Sequence, residues 1–211
     1  MPMNKPVSVM PNELLRLQKM HNGDKVKPTF SAAEMERRQN GLRRALTELK
    51  LDAALLTSYH NINYFADFLY CYFGRKYAFI VTDKKAISVS AGIDAGQPWR
   101  RTFGDNITYT DWRKDNYFHA LQQEMKGAKR IGIEFDHVNL EFHKQLQDAF
   151  PGVELVDIGQ TTMWMRTIKS AEEIALIKEG ARTADLGGEA IRAALKEGIA
   201  EHEVALAGTQ A

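Results

Sequence analysis

Apolar positions along this chain switch between two spacings, and the switches mark its elements. From Ser31 onward Met35, Leu42, Ala45, Leu46 and Leu49 recur at helical intervals. They follow Ser31-Ala-Ala-Glu34, which reads as a capping box: the Ser hydroxyl accepts from the third amide and the Glu reaches back to the Ser amide. Residues 52–57 (DAALLT) form a short unbroken apolar run, the mark of a buried strand. Residues 77–82 and 86–90, joined by the polar Asp83-Lys84-Lys85 step, predict a hairpin. Residues 107–110 are β-rich. Residues 116–125 turn Tyr117, Phe118, Leu121 and Met125 to one helical side and stop at Gly127. Residues 130–135 then read as a strand, 140–150 as a helix and 153–156 as a strand. Strands alternating with helices predict an α/β layered domain. Residues 1–30 read as an arm in which Pro11 opens a short helix carrying Leu14, Leu15, Leu17 and Met20, with Gly23 as its stop.

The texture changes near Ile168. Ser170-Ala-Glu-Glu173 is a second capping box, and behind it Ile174, Ile177, Ala181, Ala184, Gly188, Ile191 and Leu195 keep helical spacing. This predicts one amphipathic helix of about 25 residues closed by Gly198. Residues 201–211 begin another helical pattern, with no strand left in sequence for either to cover. The expected organisation is therefore one domain over residues 1–165 and the opening of a second, incomplete one over 166–211.

Composition narrows the function classes. Among 211 residues, 28 basic and 27 acidic side chains nearly cancel, which excludes the clustered positive field that nucleic-acid or polybasic membrane binding needs. Arg37, Arg38, Arg43 and Arg44 are interleaved with Glu34, Glu36 and Glu48 and read as a solvated helix face. A single cysteine, Cys71, excludes an intrachain disulfide. No apolar run has signal-peptide length or approaches the ~18 residues of a membrane span, so a cytoplasmic protein is expected.

The densest chemistry lies in residues 58–75, SYHNINYFADFLYCYFGR. Its Phe73-Gly74-Arg75 step sets an aromatic face beside a permanent cation across the most permissive backbone unit. A guanidinium fork suits a carboxylate, and a ring face suits a methyl group or a cation. A small zwitterion with a carboxylate at one end would use both. The competing reading packs Phe73 with Tyr64, Phe65, Phe68, Tyr70 and Tyr72 and makes Arg75 a structural ion-pair partner. His60 reads as a packed, hydrogen-bonded side chain in preference to a ligand or base. Asp111, Asp115 and His119 recur every four residues, a spacing that can align metal ligands, but Asp115 also suits a helix N-cap. Cys71 reads as an inert buried thiol. Asp94, Trp99, Arg100 and Arg101 read as fixing a loop or a subunit contact. There is no GxSxG, HExxH, CxxC or phosphate loop, and no residue set convincingly activates a water.

The segments SYHNINYFADFLYCYFGR, SAGIDAGQPWRR, YTDWRKDNYF and MRTIKSAEEIALIKEGAR, in this order, resemble the creatinase family, and the likeness runs over nearly all of residues 20–211. That family shares a pita-bread catalytic domain with aminopeptidase P, prolidase and methionine aminopeptidase. The resemblance implies an N-terminal α/β domain with a mixed β-sheet flanked by helices. The helix after Lys169-Ser170 would open the pita-bread domain. It implies hydrolysis of creatine to sarcosine and urea without metal or cofactor, by a histidine and carboxylates of the C-terminal domain. It also implies a homodimer that sets each N-terminal domain at the other subunit's active site, where Phe73 and Arg75 line the substrate pocket. None of His21, His60, His119, His137, His143 or His202 matches the catalytic histidine, which is expected beyond Ala211. The chain thus reads as the front half of such an enzyme, inactive by itself. Alternatives are the N-terminal domain of an X-Pro metallopeptidase, a lyase of small zwitterions, or a non-catalytic dimerisation module.

Overall fold

A computed structural model describes residues 15–68 and 74–211. The expected helix start at Pro11, and Cys71 and Phe73, lie outside the described residues.

Among the described residues seven strands form one sheet in the order β1-β5-β4-β3-β2-β6-β7: β1 (Leu17–Gln18), β2 (Ala53–Leu56), β3 (Ala78–Thr82), β4 (Ala86–Ala91), β5 (Asp105–Tyr109), β6 (Arg130–Ile133) and β7 (Glu154–Asp157). β2 runs parallel to β6, β6 to β7 and β4 to β5. β3 lies antiparallel to both β2 and β4. The carboxyl ends of β2, β4, β5, β6 and β7 therefore share one edge of the sheet with the entry to β3. The sheet is mixed and flanked by helices, as the resemblance implies.

Side-chain alternation decides which face each residue covers. Ala53, Leu55, Ala78 and Ile80 join Tyr117, Leu121 and Leu146 in one buried cluster, under α4 (Asn116–Glu124) and α5 (Leu140–Ala149). Their neighbours Ala54, Leu56, Phe79 and Val81 join Leu42, Leu46, Ile62 and Phe65 in the other, under α1 (Ala32–Glu48) and α2 (Tyr59–Ala66). A strand that is apolar at every position is thus buried on both sides.

Three expectations need correction. Leu17 and Gln18 do not continue a helix; they add β1 antiparallel to the sheet's edge, opposite Tyr109 and Thr108. At α1 the Ser31 hydroxyl accepts from the Glu34 amide (3.2 Å), but both Glu34 carboxylate oxygens accept from Arg37 and Arg38. Arg38, read as solvated, is 3% exposed: its guanidinium lies over the rings of Phe30 and Tyr64. The sequence pattern also passed over α2, the short α3 (Gln97–Arg101) and α6 (Gly159–Thr167).

The chain forms two compact units, Met1–Thr167 and Ile168–Ala211. In the second, α7 (Ala171–Ala194) opens on the complete capping box, with Glu173 N to Ser170 Oγ at 3.2 Å and Ser170 N to Glu173 Oε2 at 2.9 Å. It ends at Leu195, three residues before Gly198. Against it packs α8 (Glu201–Gln210), where a Cβ at Gly187 would come within 3.2 Å of the Gly208 carbonyl. No helix among the described residues is long and apolar enough to cross a membrane.

Candidate substrate site

Arg75 stands at the carboxyl edge of the sheet, just before β3. Gly74 turns the chain there with φ +68°, a left-handed conformation that a side chain would strain. The backbone beyond it is fixed by three tyrosines. Tyr109 Oη donates to the Lys76 carbonyl (3.0 Å), Tyr117 Oη to the Tyr77 carbonyl (3.2 Å), and Tyr77 Oη to Asp94 Oδ2 (2.6 Å). Burial pushes the Tyr109 hydroxyl up to about 12, so it remains a donor throughout the physiological range. Arg75 itself is exposed, with Nε 3.3 Å from Oδ1 of Asp111, two residues past the end of β5. Gly92 permits that approach, because a Cβ there would meet the Tyr109 carbonyl at 3.2 Å and Asp111 Oδ2 at 3.4 Å.

A cleft of about 310 Å³ opens beside Arg75, lined by Thr57, residues 74–77, Tyr117, residues 137–139 and Phe142. Lys76 Nζ donates to Gln145 Oε1 (2.7 Å) and lies 4.8 Å above the Phe118 ring; desolvation lowers its pKa against the opposing charge of Glu141. The cleft therefore combines two cations with aromatic walls, a composition fitted to a small carboxylate-bearing molecule.

The other candidates separate. Asp111 pairs with Arg75, while Asp115 begins α4 and pairs with Arg16 (2.9 Å) and Arg113 (3.1 Å). Burial and the charge of Arg16 lower the pKa of His119. Among the described residues no group of three His, Cys, Asp or Glu side chains is arranged to hold a metal. His60 is exposed, not packed; desolvation and Arg166 lower its pKa. Asp94 accepts from Tyr77. Trp99 stacks on His21 (3.8 Å) with Lys25 over its ring, and Arg100 Nε donates to the Asp24 carbonyl (3.2 Å), so these residues hold the N-terminal arm. Arg101 bonds within α3 to Gln97.

One residue escaped the sequence reading. Glu134, directly after β6, is fully buried. Its Oε2 accepts from the amides of Thr57 (2.6 Å) and Ser58 (2.9 Å), and its Oε1 from the Ser58 hydroxyl and from Asn61 Nδ2 (2.5 Å). The available signal was a carboxylate immediately behind the strand pattern RIGI, a place where charge must be satisfied by hydrogen bonds.

Residues 38–168 match the family described as the Creatinase/Prolidase N-terminal domain. The chain belongs to this family. Within it, the chain is 52% identical over 195 residues to a creatinase of Bacillus sp. (strain B-0618), covering 90% of this chain and 47% of that one. Two solved structures share the creatinase/prolidase fold. The prolidase from Pyrococcus horikoshii OT3 has a TM-score of 0.68 at 20% identity. The Xaa-Pro dipeptidase from Bacillus anthracis has a TM-score of 0.68 at 23% identity. Each match covers 82% of this chain and 47% of the other. The chain thus spans about half the length of these relatives, all of them hydrolases by name.

Proposed function

We propose that the chain is the N-terminal half of a creatinase-type enzyme that hydrolyses creatine to sarcosine and urea, and that Arg75 receives the substrate carboxylate. The observation that carries this reading is the 52% identity to a creatinase across 90% of the chain. In this reading Arg75, on a backbone step pinned by three tyrosines, offers its fork to the carboxylate, and Phe73 offers a ring to the methylated nitrogen. Two such groups bind and orient. Water attack on the guanidino carbon and protonation of the departing sarcosine nitrogen need an acid–base pair, which the reading assigns to the catalytic half. It calls on no metal or cofactor. It sets the domain, in a homodimer, at the other subunit's active site.

Two assays test this division. The purified 211-residue chain should release no urea from creatine above a heat-killed control; release would overturn the division of labour. With the domain joined to the catalytic half of the Bacillus enzyme, Arg75→Ala should raise KM for creatine roughly tenfold or more, with a smaller fall in kcat. An unchanged KM would place Arg75 outside the pocket.

A further inference from the structure

We infer that Glu134 is a positioning residue of the Arg75 cleft, holding two of its walls from one buried position. This rests on the reading of that cleft as the creatine carboxylate site. The Glu134 side chain gathers the amides of Thr57 and Ser58, the Ser58 hydroxyl and the Asn61 amide. Its backbone carbonyl accepts from the amides of His137 (3.1 Å) and Val138 (2.8 Å). Thr57 lines one side of the cleft, and His137 and Val138 line another. One residue therefore ties the end of β2 to the turn after β6, and the distance between those walls follows from the length of its side chain.

The network extends past Glu134 to α6. Asn61 donates to Glu134 and to Thr162 Oγ1 (3.0 Å), while its own Oδ1 is buried and meets no hydrogen-bond donor among the described residues. Four donors, at the N-terminus of α2, converge on the two carboxylate oxygens and satisfy a buried polar group that would otherwise be costly.

Side-chain length and charge make opposite demands on substitutions. Glu134→Asp keeps the charge but withdraws the oxygens by one methylene, so the end of β2 must follow or lose its bonds. Glu134→Gln keeps the length: its oxygen still accepts from Thr57 and Ser58, and Asn61, by turning over and giving up its donation to Thr162, can offer Oδ1 to the new amide. In the joined enzyme, Glu134→Asp should raise KM for creatine roughly tenfold with kcat within about threefold, and Glu134→Gln should restore KM to within about threefold of the parent. Leu46→Ala, in the cluster on the opposite face of the sheet, serves as a control that lowers the melting temperature without moving KM. If Glu134→Asp lowers the melting temperature but leaves KM unchanged, or if Gln is worse than Asp, the inference fails. Should Glu134→Asp not fold, Asn61→Ala withdraws a single donor and should raise KM several-fold; no change overturns the inference equally. Arg75→Ala in the same enzyme separates the two levels. If it too leaves KM unchanged, the reading of the cleft has failed; if it raises KM and the Glu134 and Asn61 variants do not, only the role of Glu134 falls.

Discussion

Glu34 is a surface-pattern residue that the fold has buried. Its two oxygens accept from Arg37 Nε and Nη2 and from Arg38 Nε, all at 2.7 Å, and Arg38 Nη1 reaches on to the Tyr64 carbonyl (3.0 Å). The bond to Arg37, ahead of that to Arg38, holds the Glu34 carboxyl down at about 2 against the opposing effect of burial. A depressed folded-state pKa stabilises the fold above the ordinary carboxylate range. That stability is lost as pH falls from about 4.5 through about 2. Glu34→Gln should therefore cost about 2 kcal/mol at pH 7, and the gap to the parent should narrow towards pH 2 in urea titrations. A loss of equal size at both pH values would assign the effect to packing. The charge run around Glu34 was legible; the burial of Arg38 was not, because the rings that cover it include Tyr64, 26 residues away. Arg75 was legible as a candidate because its cue, the Phe-Gly-Arg step, is local. Its pinning by Tyr109 and Tyr117 depends on strand pairing that no local spacing records.

Among the elements, β2 and β3 were readable because each is apolar at consecutive positions, and β4 and β6 because apolar residues alternate with others, all of them punctuated by turn residues. The long α7 declared itself through its capping box and its repeat. The elements that escaped are short and close-fitting. α2 carries Asn, His and Tyr through eight residues and reveals only its N-cap, Ser58; β1 has two residues and exists only by pairing with β5. Pattern cannot show such elements, since their stabilisation is tertiary. Gly132 in β6 is another case. A Cβ there would meet Ile158 Cγ2 at 2.8 Å and Leu51 Cδ1 at 2.9 Å, and both side chains are buried. Gly132→Ala should overpack this contact and destabilise the domain by about 1–3 kcal/mol, read as a lower urea midpoint at unchanged slope. An unaltered midpoint would mean that Ile158 and Leu51 repack without strain.

At the scale of the molecule, the two compact units differ in what they hold inside. Every strand and both buried clusters lie before residue 168, where each strand has its pairing partner and each sheet face its helices. The second unit is α7 and α8, with Ile174, Ile177, Leu186 and Leu195 all exposed at 45–61%. Apolar side chains set along one helix in this way are an association surface. A chain ended at Thr167 keeps the whole sheet and sheds that surface. It should retain near-UV circular dichroism and a cooperative unfolding transition, and remain monodisperse at higher concentration than the 211-residue chain. Loss of the near-UV signal, or poorer solubility, would show that the first unit depends on residues after Thr167. The sheet and its two covering layers would then not suffice as the folding unit, and the boundary argued from the change of pattern near Ile168 would have to move.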